Sequence, residues 1–163
     1  MNIKLVNKYL LQIILSIVYF ALFSQSLTAM DKEVVVIVNI ENSLSDISST
    51  DLRRIWLKKS EYVNDVKLSP MSSEIQIESK IIFYKSILKK SRKGLRKYYI
   101  REELKGVFYK PKSFETIDKL LSIIVSDSTA ISFINKSDIP DSLDVKILSV
   151  DGKHVSDKNY QIK

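Results

Sequence analysis

Residues 34–38 read VVVIV, an unbroken β-branched run with no polar interruption. A strand with one wet face alternates apolar and polar residues. A continuous run instead predicts a strand covered on both faces, and that requires further layers of structure on each side of its sheet. The rest of the chain offers helices for those layers. Ser48-Ser49-Thr50-Asp51 has the S-x-x-D form of a helix start, and Leu52, Ile55 and Trp56 supply the buried stripe of a helix ending near Leu57. Residues 66–71 read as a second strand, interrupted by Pro70. Ile81, Ile82, Tyr84 and Leu88 fall at helical spacing within 79–88, and 91–104 reads as a further helix with Leu95, Tyr98 and Tyr99 on one side. Phe114, Ile117, Leu120, Leu121 and Ile124 make another helical stripe, with Ser113 as its expected cap, ahead of short strands at 130–134 and 145–150. Strands alternating with helices specify an α/β fold: one domain over 30–163, a short mixed sheet flanked by helices.

Residues 1–29 read as an address. Lys4 and Lys8 precede the apolar run YLLQIILSIVYFALF, and small residues follow in Ser24-Gln25-Ser26 and Thr28-Ala29. That is the pattern of a secretory signal peptide. A spanning helix needs about 20 apolar residues, and this run has the length of a signal core instead of an uncleaved membrane anchor. Cleavage after Ala29 places Leu27 three residues back, and cleavage after Ser26 places Ser24 there. No Cys follows the run to accept a lipid. The expectation is an exported, periplasmic domain.

Composition removes several functions. The three glycines, Gly94, Gly106 and Gly152, are too scattered to cradle a phosphate in a Gly-rich loop or to make a dinucleotide turn. With no Cys and His154 as the single histidine, there is no thiolate zinc site, no Cys–His pair and no ordinary Ser-His-Asp triad. Asp138, Asp141 and Asp144 lack the spacing of a calcium loop. No catalytic cluster, metal site or cofactor motif stands out, so the chain reads as a non-enzyme. Trp56 belongs with the core stripe, and His154 reads as a surface residue.

The net charge of +7 is unevenly placed. Between Lys80 and Arg101 there are nine basic residues and no acid. A patch of this kind concentrates anions. Its partners would be a phosphorylated or other small anion, an acidic protein or an anionic membrane surface; nucleic acid sits poorly with export. A charge run of this length is also what keeps a solvated helix face soluble.

In order, VVVIVN-IENSLSDIS-STDLRRIWLKK, KLSPMSSEIQIESKIIFYKSIL, KSFETIDKLLSIIVSDSTAISFINKSDI and VKILSVDGK resemble small exported proteins similar to the phosphate-binding component of phosphate ABC transporters. The matches fall at Asn39, Ser48, Leu52, Ile55, Leu57, Lys58, Pro70, Phe83, Ala130, Ile131 and Asp151-Gly152, over 34 to about 160. The resemblance implies an abbreviated periplasmic-binding-protein-like domain, with the hinge strand, one lobe and the return strand. It also implies a solute-binding module for phosphate or another anion, linked to an ABC transporter, with Asn39, Ser45, Ser48 and Lys80 as ligand-binding residues. Anion sites of such folds use helix N-termini, hydroxyls and one Arg. Along 70–83 the pattern places Gln76 and Ile77 at the family's Gly-Ser and Lys80 at its Arg, and Ile131-Ser132-Phe133 replaces Ile-Gly-Tyr. The second reading is a non-catalytic scaffold with a degenerate site that docks through the basic patch.

Overall fold

The computed structural model describes residues 33–106, 110–160 and 162; the expected signal peptide and both of its cleavage positions lie outside the described residues. Strand β1 (Val34–Asn39) is buried throughout. Val34, Val36 and Val38 enter one apolar core, and Val35 and Ile37 enter another on the opposite face. The unbroken run therefore has the two covered faces that its composition demands.

The other strands arrange themselves around β1. It pairs antiparallel with β7 (Ala130–Asn135) on one side and β8 (Val145–Val150) on the other, with Val36 opposite both Phe133 and Leu148. Beyond β7 lies β5 (Ser69–Ser73) and then β6 (Lys112–Phe114), each parallel to its neighbour; beyond β8 lies the short β2 (Asp46–Ile47), also parallel. The sheet order is β2-β8-β1-β7-β5-β6. A separate hairpin joins β3 (Tyr62–Val63) to β4 (Val66–Lys67). Both residues of its turn, Asn64 and Asp65, have positive φ of 46° and 64°, as a tight turn matched to strand twist requires.

Helices cover both faces. Helix α1 (Ser49–Trp56), helix α2 (Ile77–Phe83) with the π turn Tyr84–Leu88 that continues it, and helix α3 (Arg92–Glu103) pack Leu52, Trp56, Phe83, Ile87 and Leu95 against the Val36 face. Helix α4 (Ile117–Ser126) packs Leu120, Leu121 and Ile124 against Val35 and Ile37. Phe83 stacks on Phe133 with centroids 4.1 Å apart, and Trp56 tilts against both at 4.8 and 5.8 Å. Burial of each such side chain stabilises the fold by about 1.5–3 kcal/mol.

Three local expectations need correction. The strand expected at 66–71 is two elements, because residues 66–67 belong to the hairpin and β5 starts only at Ser69. The helix expected at 79–88 starts earlier, at Ile77, and widens into the π turn, which ends where Lys89 takes φ 52° and the Lys90 N–H donates to Tyr84 O over 3.0 Å. Ser113 is not a helix cap. It lies in β6, whose pairing to β5 holds the chain in the sheet until Phe114, and Thr116 caps α4 by accepting from the Lys119 N–H at 3.2 Å.

Candidate functional site

Near the carboxyl ends of the parallel strands β5 and β6 the sheet opens into a cleft of about 390 Å³. Ligands favour this end of α/β sheets because helices begin there and the backbone leaves the ladder. Ser72 and Ser113 are register partners on the two strands, and their hydroxyls approach to 3.5 Å. Around this pair stand Lys80 from α2, Arg92 at the start of α3, Lys110 just before β6, and Glu74 just after β5. Tyr84, Tyr99 and Trp56 complete the walls.

The fold fixes these walls firmly. The Tyr99 hydroxyl donates to Trp56 O at 3.1 Å and the Tyr98 hydroxyl to Leu57 O at 2.9 Å, satisfying carbonyls that the end of α1 leaves unpaired. Arg53 Nε donates to Ile87 O at 2.7 Å, tying α1 to the π turn. Tyr84 meets Phe133 edge-on at 6.1 Å, which sets its ring between the core and the cleft. Burial pushes the hydroxyl pKa values of both Tyr84 and Tyr99 up, so both stay neutral donors and acceptors at any ordinary pH.

The cations are held differently. Among the described residues, no ion pair includes Lys80, Arg92 or Lys110. Lys80 is half-buried, and that burial pulls its ammonium below the usual lysine range; Glu74 acts in the opposite sense, and the nearby Arg92 charge adds to the depression. A cation depressed by desolvation and a like charge is relieved when an anion arrives. With three positive groups and one carboxylate, the cleft is net positive. A second cleft of about 350 Å³ adjoins it, sharing Lys80, Tyr84, Arg92, Tyr99 and Lys110 and adding Leu95, Arg96, Ile100 and Glu103.

Of the four residues expected from sequence to bind ligand, Asn39, Ser45, Ser48 and Lys80, it is Lys80 that lines this cleft. Asn39 is buried at the end of β1, where its Nδ2 donates to Ile124 O (3.0 Å) and Val125 O (2.6 Å) while its Oδ1 accepts from the Glu41 N–H (2.8 Å). Those bonds clip the last turn of α4 to the sheet. Ser48 caps α1, accepting from the Asp51 N–H at 2.9 Å and donating to Asp51 Oδ2 at 2.7 Å. Ser45 is exposed, and its carbonyl accepts from the Ser149 N–H and hydroxyl, both at 3.1 Å. Gln76 lies apart in a half-buried network: Gln76 Nε2 and Asn135 Nδ2 each donate to Asp138 Oδ2 at 3.0 Å, and Ser79 Oγ donates to Asn135 Oδ1 at 2.6 Å. The Asp138 carboxylate makes that network a poor anion site. Sequence reasoning missed Ser72, Ser113 and Lys110, which only the β5–β6 pairing brings together, and could not separate Arg92 from the other charges of its run.

Most of that run is solvated. Lys85, Lys89, Lys93, Lys97 and Arg101 are exposed, and Lys90 lies 5.3 Å from the centroid of the Tyr98 ring. Among the described residues, no helix is long and apolar enough to cross a membrane, and no group of three metal-ligating side chains forms.

No family model matches the chain, and no curated protein matches it in sequence. Solved structures do match. A candidate phosphate ABC transporter substrate-binding protein from Clostridium perfringens, solved with bound phosphate, superposes with a TM-score of 0.60 at 16% identity, covering 79% of this chain and 51% of its own. An ABC-type phosphate transport receptor from Vibrio cholerae gives 0.59 at 14% identity, with 79% and 52% covered. PstS from Borrelia burgdorferi gives 0.58 at 12% identity, with 79% and 53% covered. The first is a substrate-binding protein and the second a phosphate transport receptor by description, and the chain spans about half the length of each of the three. The chain thus shares the α/β fold of these phosphate-transport proteins, over about half of their length.

Proposed function

We propose that the chain is a solute-binding-like module that acts outside the cytoplasm, serves an ABC transporter and holds phosphate or a related anion over the Ser72–Ser113 pair. The observation that carries this reading is the convergence of Lys80, Arg92 and Lys110 on one cleft without an ion pair among the described residues. Arg92 offers a planar fork of donors, Lys80 and Lys110 offer point charges, and the hydroxyls offer neutral donors, a set that suits a tetrahedral oxyanion. On this reading the chemistry is recognition without turnover. Isothermal titration of the protein with inorganic phosphate at low ionic strength tests the reading. Saturable heat at one site that Arg92→Ala weakens about tenfold supports it, and no heat with phosphate or sulfate overturns it.

A second reading is favoured by a groove of about 510 Å³ beside the cleft, where the half-exposed Ile81 lies among Lys85, Lys89, Lys90 and Arg92. Here the chain would dock through its basic face onto an acidic protein or an anionic membrane. Association that falls steeply with added salt while phosphate gives no heat would select this reading over the first.

A further inference from the structure

The cleft proposed to hold the anion does not end at the cations. It shares Lys80, Arg92, Lys110, Tyr84 and Tyr99 with the adjoining cleft, so the two form one trough alongside α3. Either part alone, at about 390 and 350 Å³, reaches the size at which sites enclose a small organic molecule, roughly 300–1,000 Å³, and far exceeds what a bare tetrahedral ion fills.

The two compartments share Lys80, Arg92 and Lys110 and differ in the rest of their lining. The inner one sets three cations against Glu74, over paired hydroxyls. The outer one adds Arg96 and Glu103, which offset each other, together with the aliphatic side chains of Leu95 and Ile100. Arg92, Arg96 and Ile100 follow at four-residue spacing, so a single stripe of α3 runs from cation to hydrocarbon. Ile100 is 47% exposed, an apolar group held at the trough with its contact surface still available. The two tyrosine rings flank both compartments.

From this gradient, and resting on the anion-binding reading above, we propose that the ligand is a phosphate monoester: its phosphate sits over Ser72 and Ser113, and a compact, largely uncharged organic body lies along Tyr99 and Ile100. Free phosphate would leave the outer compartment empty.

Titration calorimetry of the full chain with inorganic phosphate and with phenyl phosphate separates the possibilities. Phenyl phosphate binds about tenfold more tightly or better, and Ile100→Ser cuts that advantage severalfold while leaving the phosphate Kd unchanged. Arg92→Ala weakens both ligands alike. Circular dichroism of each variant verifies that its fold is intact. Equal affinity for the two ligands, or an Ile100→Ser change that weakens both equally, overturns the monoester proposal and leaves anion binding standing. Absence of binding by either ligand overturns both.

Discussion

At the end of β1, Asn39 and Asn42 send their amides to the carbonyls of Ile124, Val125 and Ser128, and their side-chain oxygens accept from Glu41 and Leu44. At the end of β5, the Ser72 and Ser113 hydroxyls meet each other at 3.5 Å, and Lys80, Arg92 and Lys110 line the same cleft without an ion pair among the described residues. Both regions gather polar residues at strand ends, yet one uses its hydrogen-bonding groups to hold the fold and the other leaves them facing a cleft. A polar side chain near a strand end is therefore evidence for a site only after its internal partners are counted. Lys80 passes that count, and Asn39 and Ser48 do not.

Substitutions can break the contrast in graded steps. Trp56 belongs to both regions, since it packs on Phe83 and Phe133 and also walls the cleft, so Trp56→Ala should lower stability by about 3–5 kcal/mol in urea unfolding and also weaken phosphate binding. Asn39→Ala should act on the fold alone. It strands the Ile124 and Val125 carbonyls at a cost of about 1–3 kcal/mol, with the phosphate Kd unchanged once the protein is folded. Arg92→Ala should do the reverse: stability within about 0.5 kcal/mol of the parent, because the residue is exposed, and a phosphate Kd raised about tenfold. A large stability loss from Arg92→Ala, or an unchanged Kd, would remove the distinction between the two regions.

The smallest effect is the dependence on pH. Burial depresses Lys80, so the folded state releases this proton at a lower pH than the unfolded chain. Stability of the ligand-free protein should therefore rise with pH between that depressed value and 10.5, since the unfolded state binds more protons there. Phosphate affinity should fall over the same window as the ammonium is lost. Lys80→Arg keeps the charge and should flatten both trends, which titrations at several pH values would reveal.

How much of this was legible in the sequence follows from where burial is complete. β1 and β7 are unbroken or nearly unbroken apolar segments, and α1 and α4 carry strong stripes, because each has at least one face against a core. β2 and β6 are two and three residues long, polar and at the sheet's edges, so no periodicity could announce them. The π turn escaped because Ile87 and Leu88 are buried side by side as Leu120 and Leu121 are on a regular helix, so apolar spacing alone cannot reveal the wider turn. The cleft was the least legible part. Arg92 looks like any other charge in its run, and Ser72 meets Ser113 only because two parallel strands align them across a long crossover. The departure at Gln76 was visible, and the structure supplies its meaning, a buried amide bound to Asp138.

The claim that the β5–β6 cleft, and not the end of β1, holds the anion is tested most directly by following backbone amide resonances during a phosphate titration. The account predicts saturable shifts at Ser72, Ser73, Lys80, Arg92 and Ser113, with Asn39, Ser45 and Ser48 unmoved. Shifts centred on 45–48 that leave Arg92 and Ser113 untouched would contradict it.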